Sequence, residues 1–279
     1  MREISKKVLT DRLMDIEKYF NADCLFYYGQ IAEGNISDIH KLIVELAEEK
    51  KHKILAIILT TPGGSILAVE RFVNLLRHHY EKIIFIVPDY AYSAGTTFCM
   101  SGDDLYMNYY SVVGPIDPQV QNKDGKWVSA LGYLDKINEM IYKSKIGELS
   151  PVEYKIIMDI DLGTLREYEQ ARDHTKALLI KYLVDYKFKD WMVTETRKMP
   201  VTQQMKIEKA TEIAEHLGGT EWFSHGRPIN VKKLTELGLR IHDYSENIEF
   251  TQLLLDYYYP IINFINDDED MFIHTRRFF

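Results

Sequence analysis

The chain has 279 residues, of which 46% are hydrophobic, and a formal net charge of −8. This apolar content can form a full core and excludes a largely disordered chain, while the acidic balance and the lack of a basic cluster argue against nucleic-acid binding. The two cysteines, Cys24 and Cys99, each lie among apolar residues without metal-site or disulfide spacing. We therefore expect buried free thiols and a reducing compartment.

The start of the chain is charged and leads into an amphipathic pattern over residues 5–20, which predicts a helix. It lacks the apolar core of a secretory signal. No run approaches the roughly 18 to 20 uninterrupted apolar residues of a membrane-spanning helix. We therefore predict a cytoplasmic protein.

Apolar runs typical of buried strands alternate with helical patterns in the first part of the chain. The predicted strands cover residues 24–28, 54–59, 83–87 and 105–107, and the predicted helices cover residues 39–49, 66–79 and 94–100. Runs that are apolar throughout are expected where both faces of a parallel strand are covered. The alternation therefore predicts one α/β unit with parallel strands.

The rest of the chain is predicted to be mostly helical. Helical patterns cover residues 131–190, 202–217 and 231–237, and Gly238 ends the last of them before a short strand. An apolar and aromatic stretch over residues 248–265 is broken by Pro260. We expect helical additions to the α/β unit and a C-terminal tail that packs against it or mediates oligomerisation.

Two short motifs follow neighbouring predicted strands. Residues 60–65 read TTPGGS and residues 91–96 read AYSAGT. Because open α/β sheets bind ligands at the carboxyl ends of their strands, both motifs are expected at one site. We predict that Ser93 is a nucleophile and that the amides of Gly63, Gly64 and Ala94 form its oxyanion hole. The alternatives are an N-cap serine and a tight turn that binds no ligand.

Together with residues 114–119, which read GPIDPQ, and residues 236–239, these motifs resemble the ClpP/crotonase fold. More narrowly they resemble the serine dehydrogenase proteinase family, which is related to ClpP, signal peptide peptidase A and NfeD-type serine proteases. The resemblance covers about residues 20–245 and implies repeated β-β-α units in a parallel-sheet spiral core. It divides the chain into a peptidase domain over residues 1–245 and an aromatic tail over residues 246–279.

The resemblance does not supply a secure catalytic base. The histidine of the ClpP triad is unmatched, because Pro115 stands near its position. Signal peptide peptidase A instead uses a serine–lysine dyad, and that spacing falls on Lys145, with Lys136 and Lys143 as nearby alternatives. A dyad lysine must be desolvated so that its pKa falls and it can accept the serine proton.

A histidine is the other candidate. His225 lies in a stretch similar to the SH-x-x-PI motif of the family, close to where ClpP carries its triad aspartate. It could orient or replace the base, together with Asp117. The alternative is a structural histidine packed beside Trp222.

The resemblance implies a serine endopeptidase that cleaves peptides or proteins through an acyl-enzyme, with no metal or cofactor. It also implies that the backbone at Ser65-Ile66 can bind substrate as an added strand, and that the protein forms a trimer-based or larger homo-oligomer. An unfoldase or membrane partner is left open. Rival functions are a crotonase-type acyl-CoA hydratase or hydrolase and a non-catalytic, ring-forming scaffold.

Overall fold

A computed structural model describes residues 2–49, 51–121, 125–194, 198–219, 222, 224–265 and 271–279, with side chains from Ser5 onward. Helices and strands alternate over the first half of the described chain, as the hydrophobic pattern predicts. In chain order the elements are α1 (Arg2–Phe20), β1 (Asp23–Gly29), α2 (Ile36–Glu48), β2 (Ile54–Thr60), α3 (Ile66–His79), β3 (Lys82–Ile86), β4 (Tyr90–Ala91), α4 (Ala94–Met100), β5 (Asp104–Met107), β6 (Val112–Val113), β7 (Gln119–Gln121), β8 (Trp127–Ser129), α5 (Ala130–Lys145), α6 (Pro151–Met158), α7 (Leu162–Tyr182), a π-helical turn (Leu183–Lys187), α8 (Gln203–Leu217), β9 (Ile229–Asn230), α9 (Val231–Glu236), β10 (His242–Asp243), α10 (Ile248–Phe264) and β11 (Met271–His274).

The main sheet has the strand order β10-β5-β3-β2-β1-β11. Its first five strands are parallel, and β11 is antiparallel to β1. In the parallel register Ile57 lies opposite Leu25 on one side and Phe85 on the other. The parallel α/β fold predicted from the sequence is confirmed.

Helices cover both faces of this sheet, which explains why its strands are apolar throughout. Side chains alternate between the faces along β2, so that Ile57 and Ile58 belong to different cores. The core of Ile57 lies under α2, α3, α4, α7 and α8, whereas the core of Ile58 lies under α1 and α10. The main sheet therefore lies between two layers of helices.

A second, smaller sheet joins β4, β6 and β9. Strands β4 and β6 are parallel, with Ala91 opposite Val113, and β9 is antiparallel to β6, with Ile229 opposite Val113. An isolated bridge also links Thr61 to Ala91. These strands are too short to leave a periodic signal, so the sequence pattern did not predict them.

The C-terminal segment is part of the same packing. Helix α10 contacts α1, and β11 adds a sixth strand to the main sheet beside β1. The expected break at Pro260 is wrong, because α10 continues through this residue. Proline removes one backbone donor, and the packing of Tyr257 and Ile261 in the core holds the helix together around it. Within the described ranges, no helix combines the length and apolar character needed to span a bilayer.

Candidate active site

The small sheet brings three distant segments of the chain to one edge. Ser93 follows the carboxyl end of β4, and Asp117 follows the carboxyl end of β6. Because β9 is antiparallel to β6, the residues before β9, including His225, come to that same edge. The bridge between Thr61 and Ala91 adds the glycine turn. The topology therefore gathers every predicted site residue except Lys145.

Ser93 lies on a strained turn between β4 and α4. Its backbone has φ 54° and ψ −117°, a conformation that L-residues rarely adopt. Its hydroxyl makes no capping hydrogen bond to α4, so the N-cap alternative is not supported. Such strain is typical of a nucleophile elbow, in which a sharp turn presents the serine hydroxyl to substrate.

The glycine turn packs directly against Ser93. A Cβ atom on Gly63, whose φ is 103°, would lie 2.7 Å from the carbonyl oxygen of Tyr92 and 2.9 Å from the Cβ of Ser93. A Cβ atom on Gly64, whose φ is 141°, would lie 2.1 Å from the carbonyl oxygen of Ile31. Only glycine allows the backbone to approach this closely.

The three amides predicted to form the oxyanion hole are not equivalent. The amide of Gly63 donates to the Thr61 hydroxyl at 3.0 Å and is therefore occupied. The amide of Ala94 is the first of helix α4 and has no acceptor inside the helix. Among the described residues, the amide of Gly64 likewise has no acceptor. The amides of Gly64 and Ala94 can therefore donate hydrogen bonds to an oxyanion.

His225 and Asp117 form a hydrogen-bonded pair. The Nδ1 atom of His225 lies 2.7 Å from Oδ1 of Asp117, across 108 residues of sequence. Gln119 donates from Nε2 to the other carboxylate oxygen at 3.2 Å. Asp117 is only 6% exposed, so its carboxylate is held in place. An ionised carboxylate accepts from Nδ1–H, which leaves Nε2 of His225 as a proton acceptor.

Ser93 and His225 line the same cavity, which has a volume of about 610 Å³. Gly64, Ser65 and Ala94 also line it, together with Pro62. Three further lining residues were not predicted from the sequence: Trp127 of β8 and, on α7, Ala171 and Thr175. No local motif marks these wall residues, because the long insertion after β6 folds back over the site only in three dimensions.

Ser65 is already engaged by the protein itself. Its hydroxyl accepts from the amide of Ala68 at the start of α3 and donates to Glu33 at 3.2 Å, while its own amide donates to the carbonyl oxygen of Ile31 at 2.8 Å. The Ser65 amide is therefore not free to pair with a substrate strand, and substrate binding at Ser65-Ile66 stays a prediction. The strand position is occupied by Ile31, which bridges Gly64.

The lysine chosen by spacing does not reach this cavity. Lys145 is exposed at the end of α5 and does not line the cavity that holds Ser93. Lys136 is exposed and pairs with Glu139 at 2.8 Å. Hydrogen bonds to Glu153 and Glu139 raise the pKa of Lys143, which is the opposite of what a proton acceptor requires. The preference for Lys145 is thus corrected, because none of these ammonium groups is desolvated beside Ser93.

Tyr92, the residue before Ser93, is not suited to accept a proton. Burial raises the pKa of Tyr92, with a smaller contribution from the charge of Asp89. Its ring stacks on Tyr90 at 5.5 Å between centroids.

Within the described ranges, no cluster of three or more His, Cys, Asp or Glu side chains could hold a metal ion.

A serine on a strained turn, two free amides and an oriented imidazole in one cavity can together carry out acyl transfer. Residues 33–136 match the model of the family of ClpP-like SDH-type serine proteinases, which confirms the resemblance drawn from the motifs. The matched segment holds the glycine turn, Ser93 and Asp117, whereas His225 lies beyond it.

Two curated relatives come from Methanocaldococcus jannaschii, and both are uncharacterized proteins. The first is 28% identical over 207 residues, which are 74% of this chain and 58% of that protein. The second is 34% identical over 85 residues, which are 30% of each. The chain thus spans little more than half of the first relative's length and under a third of the second's.

Two similar solved structures are mutants of the 1510-N membrane-bound stomatin-specific protease. The first has a TM-score of 0.48 and 15% identity, and covers 83% of this chain and 81% of that one. The second, in complex with a substrate peptide, has a TM-score of 0.38 and 16% identity, and covers 67% of this chain and 70% of that one. At such low scores they support no statement about the activity of this chain.

Proposed function

We propose that this protein is a serine endopeptidase in which Ser93 is the nucleophile and His225 the base. One observation carries the proposal: His225 is held by Asp117 at 2.7 Å and lines the same cavity as Ser93. The imidazole therefore takes the role that the spacing had assigned to Lys145. The family match supports the coarser activity of a serine proteinase.

The proposed reaction follows from these positions. Nε2 of His225 accepts the hydroxyl proton of Ser93 as the oxygen attacks the substrate carbonyl carbon. The amides of Gly64 and Ala94 donate to the oxyanion that forms, and one such donor typically contributes about 3 to 4 kcal/mol to lowering the barrier. The imidazolium then protonates the leaving amine, and a water molecule hydrolyses the acyl-enzyme by the same steps.

Asp117 acts through His225. Its carboxylate orients the ring and stabilises the imidazolium, and Gln119 fixes the carboxylate in turn. Within the described ranges, the Ser93 hydroxyl forms no hydrogen bond to the His225 ring. Contacts between a nucleophile and its base commonly tighten only when substrate is bound.

A fluorophosphonate probe with mass-spectrometric mapping tests the nucleophile. The wild-type protein should be labelled at Ser93, and Ser93→Ala should abolish the adduct. Labelling at another residue would overturn the assignment. Absence of labelling with turnover of CoA thioesters would identify a crotonase-type enzyme, and absence of both activities would identify a scaffold.

The rate of labelling tests the base. We expect Asp117→Asn to slow labelling by up to about 10⁴-fold, as the loss of an orienting carboxylate does in serine proteases, and His225→Ala to slow it at least as strongly. Lys145→Ala should react at the wild-type rate, with His174→Ala, an exposed histidine of α7, as a matched control. If His225→Ala is labelled at the wild-type rate and Lys145→Ala is not labelled, the assignment of His225 is wrong and a serine–lysine dyad is favoured.

The assembly and location predicted from the sequence remain proposals. A trimer-based or larger homo-oligomer would be detected by the molar mass in solution, and a cytoplasmic location by fractionation of cells. The substrate class of peptides and proteins rests on the family match, and apolar Leu67 and Trp127 at the cavity rim suit an extended peptide chain.

A further inference from the structure

A second cavity of about 590 Å³ lies at the opposite end of the main sheet. Lys82 and Asp104 in its wall are the first residues of β3 and β5, at the amino ends of parallel strands. The site around Ser93 lies at the carboxyl ends, and the two cavities share no lining residue. The peptidase chemistry proposed above does not use this cavity.

The π-helical turn places an unpartnered amine in the wall of this cavity. Lys187 is the last residue of the turn, and part of its side chain is accessible from the cavity. Its Nζ atom is shielded from solvent and has no hydrogen-bond partner within the described chain. Burial lowers the pKa of Lys187 to about 8. A buried cation without a partner is unfavourable, which is why such sites attract an opposite charge.

The carboxylates beside Lys187 are already paired with other cations. Asp103 accepts from Arg77 at 2.8 Å and from Lys189. Hydrogen bonds to these cations and to the Ile83 amide outweigh burial and lower its pKa.

The second carboxylate is bound in the same way. Asp104 lies 2.6 Å from Lys82 and 3.0 Å from His242, and its pKa is lowered chiefly by the hydrogen bond to His242. Asp103 and Asp104 are therefore committed and leave Lys187 unpaired, and the third carboxylate of the wall, Asp190, is exposed and forms no hydrogen bond with the Lys187 amine within the described chain.

The other groups that face Lys187 supply no anion. Burial raises the pKa of Cys99 on α4 to about 12, so that its thiol is neutral. Arg77 on α3 is itself cationic and lies 3.7 Å from the ring centroid of Tyr186. Phe188 and Trp191 add an aromatic wall, with ring centroids 5.6 Å apart. The cavity thus combines an unsatisfied amine with apolar surface.

We propose that this cavity binds a small organic anion, in which a carboxylate or phosphate group pairs with Lys187 and an apolar body packs on Phe188 and Trp191. The volume of about 590 Å³ suits a ligand of this kind. Arg240, exposed at the rim, adds positive charge at the entrance.

Calorimetric titration tests the proposal with 3-phenylpropanoate and phenyl phosphate as probes, and inorganic phosphate to separate the anion from its apolar body. We expect saturable binding to one site, weakened at least tenfold in Lys187→Met. Lys181→Met, an exposed lysine outside the cavity, should bind like the wild type. Ser93→Ala should also leave binding unchanged, so that this test is independent of the peptidase test. Equal binding of the neutral 3-phenylpropanamide, or no effect of Lys187→Met, would overturn the proposal.

The pH dependence gives a second measurement on the wild-type protein. Because the anion pairs with protonated Lys187, affinity for the carboxylate should be constant below pH 8 and fall by about tenfold per pH unit above it. An affinity that stays constant from pH 7 to pH 10 would contradict the proposal even if Lys187→Met fails to fold.

Discussion

At the scale of single residues, the backbone conformation of Ser93 is strained and lowers the stability of the folded protein. Its φ of 54° and ψ of −117° place it in a region that glycine occupies freely and other residues rarely occupy. Strain of this type is about 1 to 3 kcal/mol per residue. The sequence predicts the turn, because a serine among small residues follows an apolar run. The dihedral strain is a property of the folded chain alone.

The strain predicts an order of stability among variants. Replacing Ser93 by glycine relieves the backbone strain and so raises the free energy of unfolding. Glycine also has more conformational entropy in the unfolded chain, which lowers the free energy of unfolding by about 0.4 to 1 kcal/mol. We expect the free energy of unfolding of Ser93→Gly to exceed that of Ser93→Ala by about 1 kcal/mol. Urea unfolding measures the difference, and Ser65→Gly against Ser65→Ala is the control, because Ser65 has a negative φ of −75°. A Ser93→Ala protein that is more stable than Ser93→Gly would show that the turn is not strained.

At the scale of elements, the last strand is fixed by a buried charge cluster. Arg276 follows β11 and donates to Glu17 of α1 at 2.6 Å and to Asp23 of β1 at 2.8 Å. It also donates to Glu49 at 2.7 Å. The three side chains of Arg276, Glu17 and Asp23 are at most 6% exposed. The terminal segment thus links two helices and a strand that are remote in sequence.

Removal of this cation should destabilise the protein strongly. Arg276→Met leaves the buried carboxylates of Glu17 and Asp23 unpaired, which typically costs about 3 to 5 kcal/mol. The adjacent Arg277→Met is the matched control, because Arg277 is 57% exposed and its ion pair with Glu49 should contribute less than about 1 kcal/mol. Thermal and urea unfolding measure both changes. Equal effects of the two substitutions would show that the buried cluster has no special role.

At the scale of the whole molecule, one buried histidine couples the fold to pH. His274 is fully buried, and its Nδ1 lies 2.8 Å from the Tyr257 hydroxyl of α10, while its Nε2 lies 3.2 Å from Thr10 of α1. Burial lowers the pKa of His274 to about 3. The unfolded chain binds this proton near pH 6.5. Protonation therefore favours the unfolded state.

This depressed pKa predicts an acid-sensitive fold. The contribution of His274 is fully present above pH 6.5 and is lost as the pH falls toward 3. Over this range the free energy of unfolding should decrease by about 1.4 kcal/mol per pH unit through this group. The difference between wild type and His274→Gln, followed by urea unfolding from pH 7 to pH 4.5, isolates the effect from other titrating groups. A difference that does not change with pH would contradict the burial of a neutral imidazole.

Much of the architecture and part of the site follow from local sequence. The strands β1, β2, β3 and β5, the helices α3 and α4, and the placement of Ser93 and the glycine turn were predicted, because hydrophobic period and glycine act over a few residues. The segment over residues 33–136 that matches the family model contains the same two motifs. The helical break at Pro260 was wrong, since the packing of neighbouring segments around α10 decides it, and substrate binding at Ser65-Ile66 stays a prediction.

Tertiary structure alone decided which groups meet. The pairing of His225 with Asp117 spans 108 residues, and the exposure of Lys145 depends on how α5 lies on the rest of the chain. The placement of β11 beside β1 and the isolation of the Lys187 amine likewise arise from packing between distant elements. Sequence by itself determined the turn at Ser93, because its geometry is local. It could not determine the proposed base, because desolvation and hydrogen bonding depend on the whole fold.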